Sequence, residues 1–255
     1  MSRPPAPPAR QTGWRPAGST VFIVLGVLAY LLLRQLPPDN SLQRVKTAGV
    51  LTACVPRNLP PFISVQGGSG PGDQGTGLEA KLLGRAAQGI GVPLAWNIQA
   101  AWGTSPDPVD WGVRPESCDV LAGGIIVNEE TQGMMQLLPY KRSGWALLTL
   151  HQQPRQLAVL TNHWGLNAGD AFDWADTRRL PYLGFDSATQ ALRALQAGQQ
   201  DSALGLSDEV QWLSTQLPGS QVHAVPELPE QTLALGMWKN NITLKRVLTA
   251  TIHPP

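Results

Sequence analysis

The sequence predicts an α/β protein of two similar lobes joined by a hinge and preceded by one transmembrane helix. Three observations point there. A charge-free apolar stretch lies near the N-terminus, short apolar runs end in turn signals, and helical spacings separate those runs in two successive sets. In open α/β sheets ligands sit beyond the carboxyl ends of the strands. The first places to look for a site are therefore PRNLPPF (Pro56–Phe62) and AGGII (Ala122–Ile126).

The apolar stretch is Ala17–Leu33, 17 residues without a charge. As a helix it is roughly 25 Å long at about 1.5 Å per residue, and Leu36 extends it if Arg34 snorkels. Residues 1–16 form a positive, proline-rich arm expected to stay cytoplasmic as a disordered tail, with 17–36 as anchor and everything beyond exported. The alternative is a cleaved signal peptide, but no clear small-x-small site follows the run. Leu51-Thr52-Ala53-Cys54 looks like a lipoprotein box, yet RQLPPDNSLQRVKTAG separates it from the apolar run, so it is rejected.

The formal net charge of +1 hides an asymmetry, because Arg3, Arg10, Arg15 and Arg34 all lie in the first 34 residues with no acid among them. Of 19 basic residues 15 remain beyond that point against 18 acidic ones, and this balance leaves no nucleic-acid footprint. Hydrophobic residues make up 42%, which is ordinary for a globular chain and excludes wholesale disorder.

Past the anchor, PPDNS is a linker. Val45–Val55 reads as a strand, and Gln66–Gly77 as a Gly-rich flexible rim without the lysine and hydroxyl pattern of a phosphate loop. Leu78, Leu82, Leu83, Ala86, Ala87 and Ile90 keep helical spacing, and Pro93–Ile98 and Cys118–Ile126 follow as strands. After Pro139-Tyr140, Gly144–Leu150 leads into a second set over Gln156–Leu160, Thr189–Ala197, Asp201–Leu206, Ser207–Leu217 and Gln221–Val225. The chain returns through Thr232–Trp238 and closes with a helix at Ile242–Ile252, which sets lobe 1 at 42–145 plus 238–255 and lobe 2 at 146–237. Two lobes with a return crossing imply a hinge and a cleft.

Gly49–Phe62, Gly77-Leu78-Glu79, Cys118-Asp119-Val120, Pro139-Tyr140 and GQQDSALGLSDEV (Gly198–Val210) together resemble the family 3 extracellular solute-binding proteins, of the periplasmic-binding-protein type 2 fold. The resemblance implies a two-lobed clamp that closes on a small polar solute, commonly an amino acid, and hands it to an ABC permease. It places Phe62 and Trp102 as an aromatic wall and stacking ring, Gly123 and Gly124 as backbone donors to a carboxylate, and Asp208 as the acid that receives an ammonium group. Core aromatics and a helix N-cap are the alternative roles for Phe62, Trp102 and Asp208.

The chain departs from the family where an arginine would clamp the ligand's α-carboxylate. Thr131 stands there, or Glu130 if the register slips by one, and neither forms a bidentate pair. Pro56 and Leu59 likewise replace an early polar residue and an aromatic lid. An ordinary α-amino acid is therefore doubtful as ligand, with Lys141 and Arg142 the nearest candidates for the missing charge.

In the compartment this fold implies, Cys54 and Cys118 are expected to bridge the first and third strands; two buried free thiols are the alternative. The same cysteine pair also resembles the solute-binding-like proteins that accompany quinoprotein alcohol dehydrogenases, which makes a periplasmic redox enzyme a second possible partner. Enzymatic parts are lacking: His151, His163, His223 and His253 show no HExxH spacing, and no G-x-S-x-G elbow is present. A dehydratase built on the same clamp would need Glu130 or Asp208 as its acid. No cofactor or metal is expected.

Overall fold

A computed structural model describes residues 22–30, 39–68, 73–103 and 105–252. The expected tail at 1–16 lies outside the described residues, as does most of the anchor. Within the anchor, residues 22–30 form a helix whose apolar side chains, among them Phe22 and Ile23, are exposed. No helix among the described residues is long and apolar enough to cross a membrane.

Residues 39–255 form a compact unit of their own, built on two five-stranded sheets. The first holds β1 (Leu51–Val55), β5 (Leu94–Ile98), β6 (Val120–Ile126), β7 (Gln136–Ser143) and β13 (Gln231–Met237), in the order β5-β1-β6-β13-β7. β1 runs parallel to β5 and β6, while β13 is antiparallel to β6 and β7. Every residue of β6 is buried, because helices and loops cover both faces of a sheet built by crossovers. The second sheet holds β8 (Trp145–Thr149), β9 (Leu157–Leu160), β10 (Tyr182–Phe185), β11 (Ser202–Leu206) and β12 (Gln221–Ala224), in the order β10-β9-β11-β8-β12. β13 belongs to the first sheet, so residues 231–237 do not lie in the second lobe as expected. The antiparallel ladder to β7 carries them home before Gln231.

Helix boundaries at Leu78–Ile90 and Ile242–Ile252 coincide with the expected ones. In the first, Leu82, Leu83, Ala86 and Ala87 are buried at helical spacing, and Gly91 ends it with a left-handed φ of 83°. Its apolar face packs on the Ile242–Ile252 helix, which also meets the helix Ser41–Ala48.

That last helix corrects the expected strand at Val45–Val55. Ser41 and Val45, four apart, face the core, and Gly49 at φ 69° stops the helix before β1 begins at Leu51. The described ends of the expected rim at Gln66–Gly77 carry strand structure that the glycines did not imply. β3 (Ile63–Gln66) pairs with β4 (Gln74–Thr76) and with β2 (Asn58–Leu59) in a small antiparallel sheet. Four further elements carried too little periodicity to be read: β7, β10, the Glu129–Met134 helix and the Gly169–Thr177 helix.

Cys54 and Cys118 form the expected disulfide, with their Cα atoms 5.6 Å apart. Parallel pairing sets it up, since Cys54 sits opposite Leu121 and Ala53 opposite Val120.

Candidate functional site

The chain passes between the sheets at Ser143–Trp145 and again between Ala224 and Gln231. The cleft between them is bounded by the ends of β1 and β6 on one side. On the other lie the loop after β9 and the start of the Ser207–Gln216 helix.

Gly123 and Gly124 lie in β6 with φ of 156° and 63°, the second a left-handed conformation that favours glycine. A Cβ at Gly123 would come 2.6 Å from the Trp102 ring and 2.7 Å from Pro56 Cδ, and one at Gly124 would collide with the His163 ring. The glycines therefore make room for the chain's own side chains. The expected stacking ring, Trp102, lies over Gly123 with its centroid 5.0 Å from that of Trp111.

The Gly124 N–H, the expected anion donor, is already taken. It donates to both carboxylate oxygens of Glu79, at 3.1 and 3.2 Å, and Glu79 also accepts from the Tyr140 hydroxyl at 2.8 Å. Burial pushes the Glu79 carboxyl up to about 7, opposed by the Tyr140 and Gly124 hydrogen bonds. The Gly124 carbonyl is taken as well: it accepts from His163 Nδ1 at 2.9 Å. Phe62, fully buried, meets the His163 ring edge-on at 5.2 Å, and Leu59 is buried beside Gly124. Both are core residues whose apolar area backs the histidine.

His163 Nε2 faces Glu209 Oε2 at 2.9 Å, both side chains being wholly buried; the contact is short but off the line of a good hydrogen bond. The other oxygen of Glu209 accepts from Asn162 Nδ2 at 2.8 Å. A carbonyl only accepts, so Nδ1 must carry a proton, and a neutral ring would then aim its Nε2 lone pair at a carboxylate oxygen. The contact therefore needs one further proton between Nε2 and Glu209, and the charge of Glu209 favours its place on the ring. Burial alone would push the ring's pKa down, but the charge of Glu209 and the hydrogen bond to the Gly124 carbonyl hold it above the ordinary histidine value.

The loop carrying His163 reaches across into the first lobe beyond that one contact. Ile126 N–H donates to the Trp164 carbonyl at 2.9 Å, Asn128 Nδ2 to the Gly165 carbonyl at 2.7 Å, and Trp164 Nε1 to the Pro106 carbonyl at 3.0 Å. Trp164 is buried against Trp111, ring centroids 5.2 Å apart, in the cluster that contains Cys54 and Cys118.

Asp208 lies in the first turn of its helix but does not cap it. Its carboxylate pairs with Lys141 Nζ and accepts from Ser143 Oγ at 3.0 Å, so a lysine ammonium stands where a ligand's ammonium was expected. Arg142 pairs with Glu230 at the exposed rim.

Thr131 is fully buried and closes a capping box: its N–H donates to Asn128 Oδ1 at 2.8 Å and its Oγ1 accepts from the Asn128 N–H at 3.0 Å, while its hydroxyl donates to the Ile126 carbonyl at 2.7 Å. A larger residue there would have to break that cap. Glu130 instead lines an open groove of about 490 Å³ together with Gly103, Ser105, Asn128, Thr161 and Asn167, at the mouth of the filled cleft.

Three residues that matter most here, Glu79, His163 and Glu209, were not read from sequence as site residues. Glu79 and Glu209 stood inside recognised motifs and His163 read as a lone histidine. The available signal was the glycine pair itself, since a wall stripped of side chains implies something bulky facing it.

No protein-family model and no curated protein matches the chain. Solved structures do. An arginine-bound mutant of ArgBP from T. maritima is 17% identical with a TM-score of 0.60, covering 83% of this chain and 98% of its own. An amino acid ABC transporter substrate-binding protein from Streptococcus pneumoniae, bound to L-arginine, is 16% identical with a TM-score of 0.62, covering 83% and 90%. An ancestral amino acid-binding protein, described as a precursor of cyclohexadienyl dehydratase, is 16% identical with a TM-score of 0.63, covering 83% and 92%. The likeness establishes the two-lobed solute-binding fold.

Proposed function

We propose that this chain is an extracytoplasmic protein of the solute-binding fold that serves as a binding-like accessory partner at the membrane rather than as a carrier of α-amino acids. One observation carries the reading: both ends of the expected ligand position are occupied from within. Glu79 sits on the Gly124 N–H and Lys141 on Asp208. An amino acid would have to displace an internal hydrogen bond and an internal ion pair and then find no arginine for its carboxylate. A periplasmic quinoprotein dehydrogenase, suggested by the cysteine resemblance, fits such a role. A dehydratase would need an acid free to move a proton beside the ligand position; Asp208 is held by Lys141 and Ser143, which leaves Glu130 on the open groove as the acid such a reading would have to use.

The competing reading, capture of a small polar solute for an ABC permease, has one observation in its favour, the open polar groove at Glu130 and Thr161. Thermal-shift measurements on the detergent-solubilised full chain separate the two. Arginine and the other standard amino acids at 1 mM are expected to leave Tm unchanged. A ligand at about 1,000 times its Kd would stabilise by about 4 kcal/mol, so a rise of several degrees with any of them would restore the carrier reading.

The placement proposed is a single uncleaved span over 17–36 with residues 1–16 cytoplasmic. It rests on the four arginines and the missing acids of the first 34 residues. Cysteine labelling of intact cells with an impermeant reagent is expected to reach a Cys placed at the exposed Gln152 and not one at Ser2. The reverse pattern, or an N-terminus found after Leu36, would overturn it.

A further inference from the structure

We propose that protonated His163 holds the two lobes shut, and that loss of its proton releases the 161–167 loop from the first lobe and opens the cleft. The inference rests on the self-filled cleft and is independent of which partner the protein serves.

The geometry carries it. His163 is the cation that faces both lobes: its Nδ1 reaches Gly124 of the first lobe and its Nε2 faces Glu209 of the second. The groups packed around it are otherwise acidic or neutral. Glu79 comes from the Leu78–Ile90 helix, Tyr140 from β7, Glu209 and Asn162 from the second lobe, and Phe62 and Leu59 from the hairpin side. The nearby cation Lys141 is engaged with Asp208 at the hinge end.

Removing the proton leaves Glu209 as a buried anion with Asn162 its one hydrogen-bond donor, and sets the imidazole lone pair against it. Glu79, with its carboxyl held up to about 7 by burial, becomes a second buried anion as pH rises. Parting the lobes lets water solvate both. That motion costs the cross-lobe bonds at Ile126, Asn128 and Pro106, which form one contiguous seam and break together.

The direction with pH follows from both groups. A histidine held above its ordinary 6.5 contributes stability that is fully present below 6.5 and is lost as pH rises through its folded value. A carboxyl raised from 4.5 to about 7 binds its proton more tightly in the closed form, so closure also weakens as pH rises across that window. Closure is therefore favoured by acid and opposed by base.

Amide hydrogen exchange at Ile126, whose N–H is shielded by the Trp164 carbonyl, reads the latch directly once corrected for the intrinsic rate. In the full chain its protection is expected to fall at least tenfold between pH 6 and pH 9, and His163→Gln should reduce that fall to less than threefold. An equal fall in the variant, or none in the parent, overturns the proposal. Should His163→Gln fail to fold, a parent with His151, His223 and His253 changed to Gln leaves His163 as the sole imidazole for NMR titration. Its midpoint must lie above 6.5 and coincide with the loss of Ile126 protection. A lower or separate midpoint overturns the latch, while leaving the reading of the cleft as unable to take amino acids to its own thermal-shift test.

Discussion

Glu209→Ala is expected to lower stability by about 3–5 kcal/mol, the largest loss from any single exchange in the cleft. The carboxylate is wholly buried and serves two partners, the His163 ring and Asn162 Nδ2. Truncating it removes the counter-charge of the buried His163 ring and leaves the Asn162 amide donor unpaired. With its counter-charge gone, the His163 ring is pushed down by burial, so the variant folds with a neutral imidazole. Urea denaturation of the parent and the variant at pH 7 measures the difference. The double exchange Glu209→Leu with His163→Leu should be less harmful than Glu209→Ala alone, because it removes both charges and keeps apolar volume against Phe62. A loss below 1 kcal/mol for Glu209→Ala would mean that the pair is not a buried ion pair.

Breaking the Cys54–Cys118 bridge is expected to cost about 4 kcal/mol on the chain-entropy relation for the 64-residue loop that it closes. Both cysteines are buried in the cluster with Trp111 and Trp164, the latter the residue that anchors the second lobe's loop in the first. The loss should therefore appear in the unfolding midpoint and also as weaker seating of Trp164, visible as a red shift of tryptophan emission under conditions where the chain is still folded. Paired Cys54→Ser and Cys118→Ser exchanges, compared with the oxidised parent in urea, supply the number. Identical midpoints, or two reactive thiols in the denatured, unreduced parent, would show that the bridge does not form.

How much was legible follows from which interactions are local. The Leu78–Ile90 and Ile242–Ile252 helices could be read to the residue because each buries one face at 3.6-residue spacing, and a glycine in left-handed conformation ends the first. β6 could be read because a strand covered on both faces is a continuous apolar run. The Ser41–Ala48 helix was missed because two buried positions are too few to show a period, and Val45 then merged with the strand beyond Gly49.

The sequence by itself pointed to the class of fold, to two lobes and a cleft, and to the cysteine bridge that the strand pairing then forms, since each depends on residues whose neighbours in space are set by strand order. Only the tertiary structure decided what fills the cleft. Glu79, Gly124, His163 and Glu209 come from four separate elements. Nothing in the spacing of any one of them says that a histidine from the second lobe lands where a glycine of the first has left room. Charge and hydrogen bonding inside a closed cleft depend on which groups lose water together, and that is fixed by the packing of the lobes, not by the order of residues along the chain.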